Sequence, residues 1–184
     1  KVVNKTRPFY DFEEYGSLLV AAKKRGPTGE LACLLGGDAG LRRGEMFALT
    51  PDHCDMRGRI LIIEEAEVVL KGKRHMGETK GRKARYVDMT ARLHAALARH
   101  LAGNRQAPRI LLAANGKPFT PESFRDHLMA PIQKMAGLTA NGNVHILRHT
   151  FCSHLAIRSV PVLTIQKLAG HARIDTTLKY MHLA

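Results

Sequence analysis

The sequence predicts a mainly helical fold with a small antiparallel β-sheet inserted near its middle, which is an α+β class. Apolar residues recur at helical spacing in the first quarter of the chain and again in its second half. Between these regions lie short apolar runs rich in β-branched residues, which favour strands. With 184 residues, 45% of them hydrophobic, the chain is long enough to bury one core. We therefore expect residues 1–184 to form a single domain.

Helices are predicted on both sides of the sheet. Asp11 and Glu14 have the spacing of a capping box, and Leu18 and Ala22 follow at helical intervals. The other predicted helices are bounded by glycines, prolines and capping residues. They cover residues 29–35, 41–49, a segment capped by Thr90, 120–136, 145–157, 161–169, and a last helix that begins near Asp175 and holds Tyr180.

Strands are predicted over residues 59–63, 67–70 and 84–87, where the hydrophobic period changes. The stretch 71–83 is polar, rich in glycine and basic, which is typical of a loop. We interpret it as the loop of a β-hairpin.

The charge of the chain favours a polyanionic partner. Lys and Arg number 29 against 16 Asp and Glu, giving a formal net charge of +13. Nucleic acid is the natural candidate, because each neutralised phosphate releases counterions. A membrane partner is not expected, since no segment pairs a basic face with a large apolar one and no apolar run is long enough to cross a bilayer.

The cysteines argue against two kinds of site. There are three of them, Cys33, Cys54 and Cys152, with no Cys-x-x-Cys spacing. This pattern fits neither a disulfide framework nor a zinc cluster. A reducing cytoplasm is the simplest location.

Four segments concentrate side chains that could do chemistry. They are Gly40-Leu41-Arg42-Arg43-Gly44-Glu45, Thr79-Lys80-Gly81-Arg82-Lys83, His145-Ile146-Leu147-Arg148-His149-Thr150, and Leu168-Ala169-Gly170-His171 followed by Tyr180. On a helix, His145 and Arg148 share one face. His149 lies four residues after His145, but no carboxylate follows to complete a metal site, so we expect no metal. We interpret His149 as a helix histidine that packs or hydrogen-bonds locally.

These segments resemble the signature segments of tyrosine recombinases and phage integrases. The matching residues are Gly40-Leu41-Arg42-x-x-Glu45, His145-x-x-Arg148, and Gly170-His171 with Tyr180 nine residues later. They stand in the family's order, and Lys80 falls in the expected hairpin loop. The resemblance implies the catalytic-domain fold of that family. It also implies an amino-terminal core-binding domain that this chain lacks and a longer tail after the tyrosine than the four residues found here.

The resemblance further implies a reaction and a set of roles. DNA is cut and rejoined through a 3′-phosphotyrosyl intermediate, without a cofactor, a metal or ATP. Arg42 and Arg148 would bind the phosphate, and His171 would support it. Lys80 would be the general acid for the leaving 5′-oxygen, His145 would assist proton transfer at the tyrosine, and Tyr180 would be the nucleophile.

Other side chains are expected around this site. Glu45 would orient its neighbours, and His149 would lie beside the catalytic group. The bases predicted to contact DNA are Arg43, Lys71, Lys73, Arg74, Arg82 and Lys83.

The leading hypothesis is a recombinase acting on double-stranded DNA in the cytoplasm, integrating or excising a mobile element. We expect a tetramer on paired sites and a monomer in the isolated domain. Three alternatives stay open: a type IB-like topoisomerase, a non-catalytic basic DNA-binding module, and, more remotely, a metal-dependent nuclease. Strand exchange between two sites separates a recombinase from a topoisomerase.

Overall fold

The first helix follows from its capping residues. The structure, a computed structural model, describes residues 9–70, 73–78 and 84–184. Helix α1 spans Phe12–Arg25. The Asp11 carboxylate accepts the backbone N–H groups of Glu13 and Glu14 at 3.0 and 2.9 Å, and the Glu14 carboxylate accepts the N–H of Asp11 at 2.9 Å. The predicted capping box is therefore confirmed.

Helices α2, Pro27–Gly37, and α3, Arg43–Ala48, differ slightly from the predicted ranges 29–35 and 41–49. Helix α2 runs through Gly36 and Gly37 instead of stopping before them. A Cβ at Gly36 would lie 2.7 Å from the side chain of Leu147, and one at Gly37 would lie 2.3 Å from the hydroxyl of Tyr15. These glycines allow close packing of neighbouring elements, so they do not end the helix where sequence reasoning placed its stop.

The strands form two separate antiparallel units instead of one sheet. Strands β1 (Cys54–Asp55), β2 (Ile60–Ile63) and β5 (Arg85–Asp88) make a three-stranded sheet in the order β1-β2-β5. Strands β3 (Glu65–Leu70) and β4 (Lys73–Glu78) pair with each other as a hairpin.

Strand β4 corrects the prediction that the whole of 71–83 is a loop. Its backbone pairs with β3 over six residues, so the predicted DNA-contacting residues Lys73 and Arg74 lie on a strand. Residues 74–77 are exposed. A hairpin on the surface is exposed to water, so its strands can carry polar side chains on both faces. Its composition therefore resembles that of a loop.

Helix α4, Ala91–Leu101, begins after Thr90, whose hydroxyl caps the N–H of Leu93. The predicted helix 120–136 is observed as α5 (Pro121–Ser123), a π-helical segment (Phe124–Met129) and α6 (Ala130–Met135). Pro131 has no N–H to donate to the carbonyl of His127, four residues earlier. The guanidinium of Arg25 donates to that carbonyl instead, at 3.1 Å.

The last part of the chain contains α7 (His145–Ile157), α8 (Val162–Ala169) and α9 (Ile174–Leu178). The prediction that the final helix holds Tyr180 is wrong, because α9 ends two residues before it. Tyr180 instead precedes a short 3₁₀ turn, Met181–Leu183.

Two hydrophobic clusters stabilise the fold. The larger joins α1, α2, the three-stranded sheet, α4 and α6. The smaller lies at the carboxyl-terminal end and is formed by Phe151, Cys152, Ala156, Ile165, Ala169 and Tyr180. Tyr180 is therefore held by packing against α7 and α8. Across the part of the chain that the structure describes, no helix combines the length and apolar character needed to cross a membrane.

Candidate active site

A glycine carbonyl holds each of the two predicted phosphate-binding arginines. Gly40 has φ +65°, and a Cβ there would lie 2.4 Å from the ring of Phe151. Its carbonyl oxygen accepts a hydrogen bond of 2.6 Å from Nη1 of Arg148, 108 residues away. Only glycine combines this backbone conformation with such close packing. The Gly-Leu-Arg segment thus positions the arginine of a different segment.

Gly170 plays the reciprocal role. It ends α8 in the left-handed conformation, with φ +66°, and its carbonyl accepts Nη2 of Arg42 at 2.9 Å. A Cβ at Gly170 would lie 2.9 Å from the side chain of Arg85. These two backbone contacts bring Arg42, Arg148 and His171, the residue after Gly170, to one place.

The carboxylate of Glu45, predicted to orient its neighbours, binds two arginines. Its carboxylate accepts the backbone N–H and Nη1 of Arg42 at 2.8 and 2.9 Å. It also accepts both terminal nitrogens of Arg85 at 2.8 Å each. The side chain of Glu45 is only 1% exposed, yet these arginines keep the pKa of its carboxyl below the usual value despite burial. The carboxylate is therefore charged and fixes both guanidinium groups.

Arg85 is a site residue that sequence reasoning missed. It lies at the start of β5, and its Nε donates to the carbonyl of Leu168 at 3.2 Å. It therefore links α3, through Glu45, to α8. The sequence contains one sign of this role, an arginine two residues before the apolar Val87 in a short predicted strand. An arginine in a strand is ordinarily solvated, so this sign was weak.

Arg148 is buried and incompletely paired. The residue is 5% exposed, and its Nη2 has no hydrogen-bond partner among the described residues. Burial and the nearby positive charge of Arg42 lower the pKa of Arg148 to about 10. A buried cation with a free donor is costly unless an anion joins it. The unpaired nitrogen therefore marks a place for an anionic oxygen.

One face of α7 carries four side chains that can ionise or hydrogen-bond. His145, Arg148, His149 and Cys152 recur at intervals of three and four residues, so they lie along the same side. His145 is exposed, and burial together with the charges of Arg148 and Arg42 lowers the pKa of its imidazole. Cys152 was not predicted as a site residue, although its spacing from Arg148 and His149 was visible in the sequence.

Tyr180 is held by His149. The phenolic oxygen lies 2.6 Å from Nδ1 of His149. Burial and the adjacent Cys152 raise the pKa of the Tyr180 phenol to about 12. The prediction that His149 only packs or bonds locally is wrong on this point, because its partner is 31 residues away and is the predicted nucleophile.

His171 completes the group. Its ring is nearly parallel to that of Tyr180, with centroids 6.4 Å apart and an interplanar angle of 2°. Its Nδ1 lies 2.9 Å from the hydroxyl of Thr177, which is buried. Burial and the charges of Arg148, Arg42 and Arg85 lower the pKa of His171 to about 4, so the imidazole is neutral at physiological pH.

A basic groove adjoins this cluster. A cavity of about 410 Å³ is bordered by Arg42 and His145 on the cluster side. Arg43, Arg125, Asn141 and Asn143 are among its other lining residues. The structure thus places Arg43 beside the cluster, and it adds Arg125 and the two asparagines, which sequence reasoning did not single out. These side chains suit the backbone of a nucleic acid.

The remaining predicted residues divide into two sets. Lys71, Lys80, Arg82 and Lys83 lie outside the described residues, and Lys73 is described only by its backbone on β4. Arg74 is not brought to the cluster. Its guanidinium donates to the carbonyl of Pro118 at 3.3 Å and lies 3.8 Å from the Glu67 carboxylate, where it borders a separate cavity of about 810 Å³.

The described residues contain no group of three or more His, Cys, Asp or Glu side chains placed to hold a metal ion. What they do bring together is a phenol in contact with an imidazole, and two guanidinium groups beside them. This arrangement suits attack by the phenol at an anionic centre whose developing charge the guanidinium groups stabilise.

The chain is similar to known proteins of one family. The phage integrase family matches residues 9–184. Tyrosine recombinase XerC of Pseudomonas syringae pv. syringae strain B728a is 32% identical over 145 residues, covering 79% of this chain and 44% of the relative. XerC of Lacticaseibacillus casei strain BL23 is 29% identical over 156 residues, covering 78% of this chain and 46% of the relative. The chain thus spans less than half the length of these curated relatives.

A solved structure shares the fold. The integrase of transposon Tn1549, in complex with a circular intermediate DNA, superposes with a TM-score of 0.80 at 23% identity. The superposition covers 94% of this chain and 60% of that one. At this identity the likeness establishes the fold and not the activity.

Proposed function

This chain belongs to the phage integrase family, and we propose from its site that it is the catalytic domain of a site-specific DNA recombinase. The enzyme would cut one strand of double-stranded DNA through Tyr180 and rejoin it to a new partner. It would use neither a metal ion nor ATP.

The observation that carries this proposal is the free Nη2 of buried Arg148. Burial and the positive charge of Arg42 lower the pKa of Arg148, so the two guanidinium groups act on each other. A backbone phosphate there would supply the missing acceptor and neutralise both charges. Guanidinium forks fit phosphate oxygens with paired hydrogen bonds, and such bonds strengthen as charge develops in the transition state.

The proposed reaction exchanges one ester for another. The phenolic oxygen of Tyr180 bonds to phosphorus, the bond from phosphorus to the 5′-oxygen breaks, and the strand keeps a 3′-phosphotyrosyl link. The leaving 5′-oxygen takes a proton, for which Lys80 is our candidate. Attack by a 5′-hydroxyl of another strand reverses the step. Bond energy is conserved, which is why no ATP is required.

The partner and setting follow from the same proposal. The net charge of +13 and the groove beside Arg42 and Arg43 support double-stranded DNA as the substrate. The Tn1549 relative supports a mobile element, whose integration or excision this enzyme would perform. We further propose a cytoplasmic location, a monomer for the isolated domain, and a tetramer on paired sites. An amino-terminal core-binding domain would bind the DNA together with this domain.

The test is a covalent trap. The full-length protein is incubated with a nicked suicide substrate carrying its candidate site, and a protease-sensitive protein–DNA adduct is sought. Tyr180→Phe should abolish the adduct while DNA affinity stays nearly unchanged. The matched control is Tyr86→Phe, because Tyr86 is 63% exposed on β5 and should be dispensable. An adduct with Tyr180→Phe would refute the assigned nucleophile.

Two further measurements address the alternatives. Adduct formation that persists in EDTA excludes a metal-dependent nuclease. Products joined between two sites identify a recombinase, whereas relaxation of supercoils without such products identifies a topoisomerase. Tight binding with no adduct identifies a non-catalytic DNA-binding module.

A further inference from the structure

We infer that His149 is the proton acceptor for Tyr180, a catalytic role that the signature histidine His145, one turn earlier on α7, does not fill. This inference rests on the proposed nucleophilic role of Tyr180 and deepens it.

The geometry of the pair is that of a donor and its acceptor. The separation of 2.6 Å between the phenolic oxygen and Nδ1 is at the short end for a hydrogen bond. For the hydroxyl to donate, Nδ1 of His149 must carry no proton, so Nε2 carries it in the neutral ring. Burial and the neighbouring charges lower the pKa of His149, which keeps the ring neutral and able to accept at physiological pH.

The other groups near the phenol are less suited to the task. The thiol of Cys152 has its pKa raised to about 11 by burial, so it remains protonated at neutral pH. His171 uses its Nδ1 on Thr177, and its ring lies parallel to that of Tyr180 with centroids 6.4 Å apart. His145 is exposed and contacts the ring of His149 edge-on, with centroids 5.9 Å apart.

The ring of His149 has charged and titratable neighbours on two elements. On α7 and in the carboxyl-terminal segment these are His145, Arg148, Cys152, His171 and Tyr180. The positive charge of Arg148 disfavours a charged imidazole at His149. A phosphate bound to Arg148 would neutralise that charge and favour protonation of His149 as the reaction proceeds.

The proposed transfer between Tyr180 and His149 accounts for the proton of the phenol, and Lys80 is the candidate for the second proton, that of the 5′-oxygen. As the oxygen of Tyr180 bonds to phosphorus, its proton moves to Nδ1 of His149. The electron pair of the breaking bond leaves with the 5′-oxygen, which takes the proton that we assign to Lys80. His149 is then an imidazolium ion. When a 5′-hydroxyl attacks the phosphotyrosine, it returns its proton to the group that protonated the leaving 5′-oxygen, and the phenolic oxygen departs and takes the proton back from Nδ1. The ring is thus ready for another cycle.

The decisive variant is His149→Asn in the full-length protein. Asparagine keeps an acceptor near the position of Nδ1 but does not take up a proton at neutral pH. We expect cleavage of the suicide substrate to fall by about a hundredfold at pH 7. Wild-type cleavage should be nearly independent of pH from 7 to 9, whereas the rate of His149→Asn should rise by about tenfold per pH unit, because it depends on spontaneous ionisation of the phenol. The control is His127→Asn, since His127 is an exposed histidine away from the cluster.

A modified substrate separates the two proton transfers. Sulfur in place of the bridging 5′-oxygen gives a leaving group that departs without a proton. The defect of His149→Asn should persist on this substrate. Rescue of the variant by sulfur, or a variant with the rate and pH profile of wild type, would overturn the role of His149 while leaving Tyr180 as the nucleophile.

A measurement without DNA tests the pair itself. In protein labelled with ¹⁵N-histidine, the His149 resonances should report a neutral ring protonated at Nε2 and an Nδ1 that accepts a hydrogen bond. Tyr180→Phe should shift the Nδ1 resonance. A ring protonated at Nδ1 would overturn the inference whatever the DNA assays give. Absence of any adduct from the wild type would instead count against the proposed function.

Discussion

Glu45 receives two parallel hydrogen bonds of 2.8 Å from the guanidinium group of Arg85, which lies 40 residues further along the chain. The same carboxylate holds Arg42 through its backbone and its side chain. A buried acid thus fixes one arginine that faces the proposed phosphate and another that braces α8. Each arginine has one further anchor, a backbone carbonyl of Gly170 for Arg42 and of Leu168 for Arg85.

Arg85→Ala should destabilise the protein and also slow cleavage. The substitution leaves the buried carboxylate of Glu45 with one arginine instead of two, and removing one partner of a buried pair costs about 3 kcal/mol. Urea unfolding measures this change. Arg99→Ala is the matched control, because its pair with Glu30 is solvent-exposed and should contribute less than about 1 kcal/mol. Equal effects of the two substitutions would contradict the structural role of Arg85.

Gly40→Ala should cost more stability than Gly116→Ala. Both glycines have positive φ, so alanine at either position is strained by about 1–2 kcal/mol. Only at Gly40 would the new Cβ also meet a side chain, that of Phe151 at 2.4 Å. Displacement of Phe151 would shift the carbonyl that holds Arg148, so cleavage by Gly40→Ala should also fall. Identical unfolding free energies for the two variants would argue against this packing.

Arg43→Ala should weaken DNA binding without regard to sequence. Arg43 is exposed in the groove beside Arg42, where a phosphate contact is proposed. Loss of one such contact lowers the slope of log affinity against log salt by about 1. Fluorescence titrations between low and physiological salt measure the slope. Arg99→Ala on α4 provides the comparison. If the slope were unchanged in Arg43→Ala, Arg43 would not contact the DNA backbone.

The folded protein should lose stability as the pH falls from about 6.5 toward 4. The pKa of His171 is lowered to about 4 in the folded chain, while an unfolded histidine has a pKa near 6.5. Between these values the unfolded chain binds more protons, so acid favours unfolding. The pKa values of His145, His149 and His154 are lowered as well, and they act in the same direction.

Urea unfolding at pH 7.5 and pH 5 measures this dependence, and His171→Gln should reduce it. The lowered pKa of Glu45 adds a further loss only below about pH 4.5, so it does not obscure this window. Stability that is constant between pH 7.5 and 5 would contradict a neutral His171 in the folded state.

The sequence predicted most of the elements because local rules determine them. The capping box of Asp11, the Thr90 cap and the apolar spacing of α7 each depend on residues less than two turns apart. Strand β4 escaped prediction because a solvated hairpin carries no apolar pattern. Helix α2 continues through Gly36 and Gly37, which pack closely against Leu147 and Tyr15. The sequence did not predict this, because contact with residues elsewhere in the chain is not a local property.

The sequence by itself determined which side chains are available: two arginines, two histidines and a tyrosine at the spacing of one family, on a strongly basic chain. Tertiary structure alone decided their partners. In the folded chain the phenol of Tyr180 contacts His149, and Arg85 donates to Glu45. One nitrogen of Arg148 has no acceptor among the described residues. The two contacts join residues 31 and 40 positions apart. Both of them, and the unpaired donor, depend on how α3, α7 and α8 pack. No periodicity within one element encodes a distance between elements.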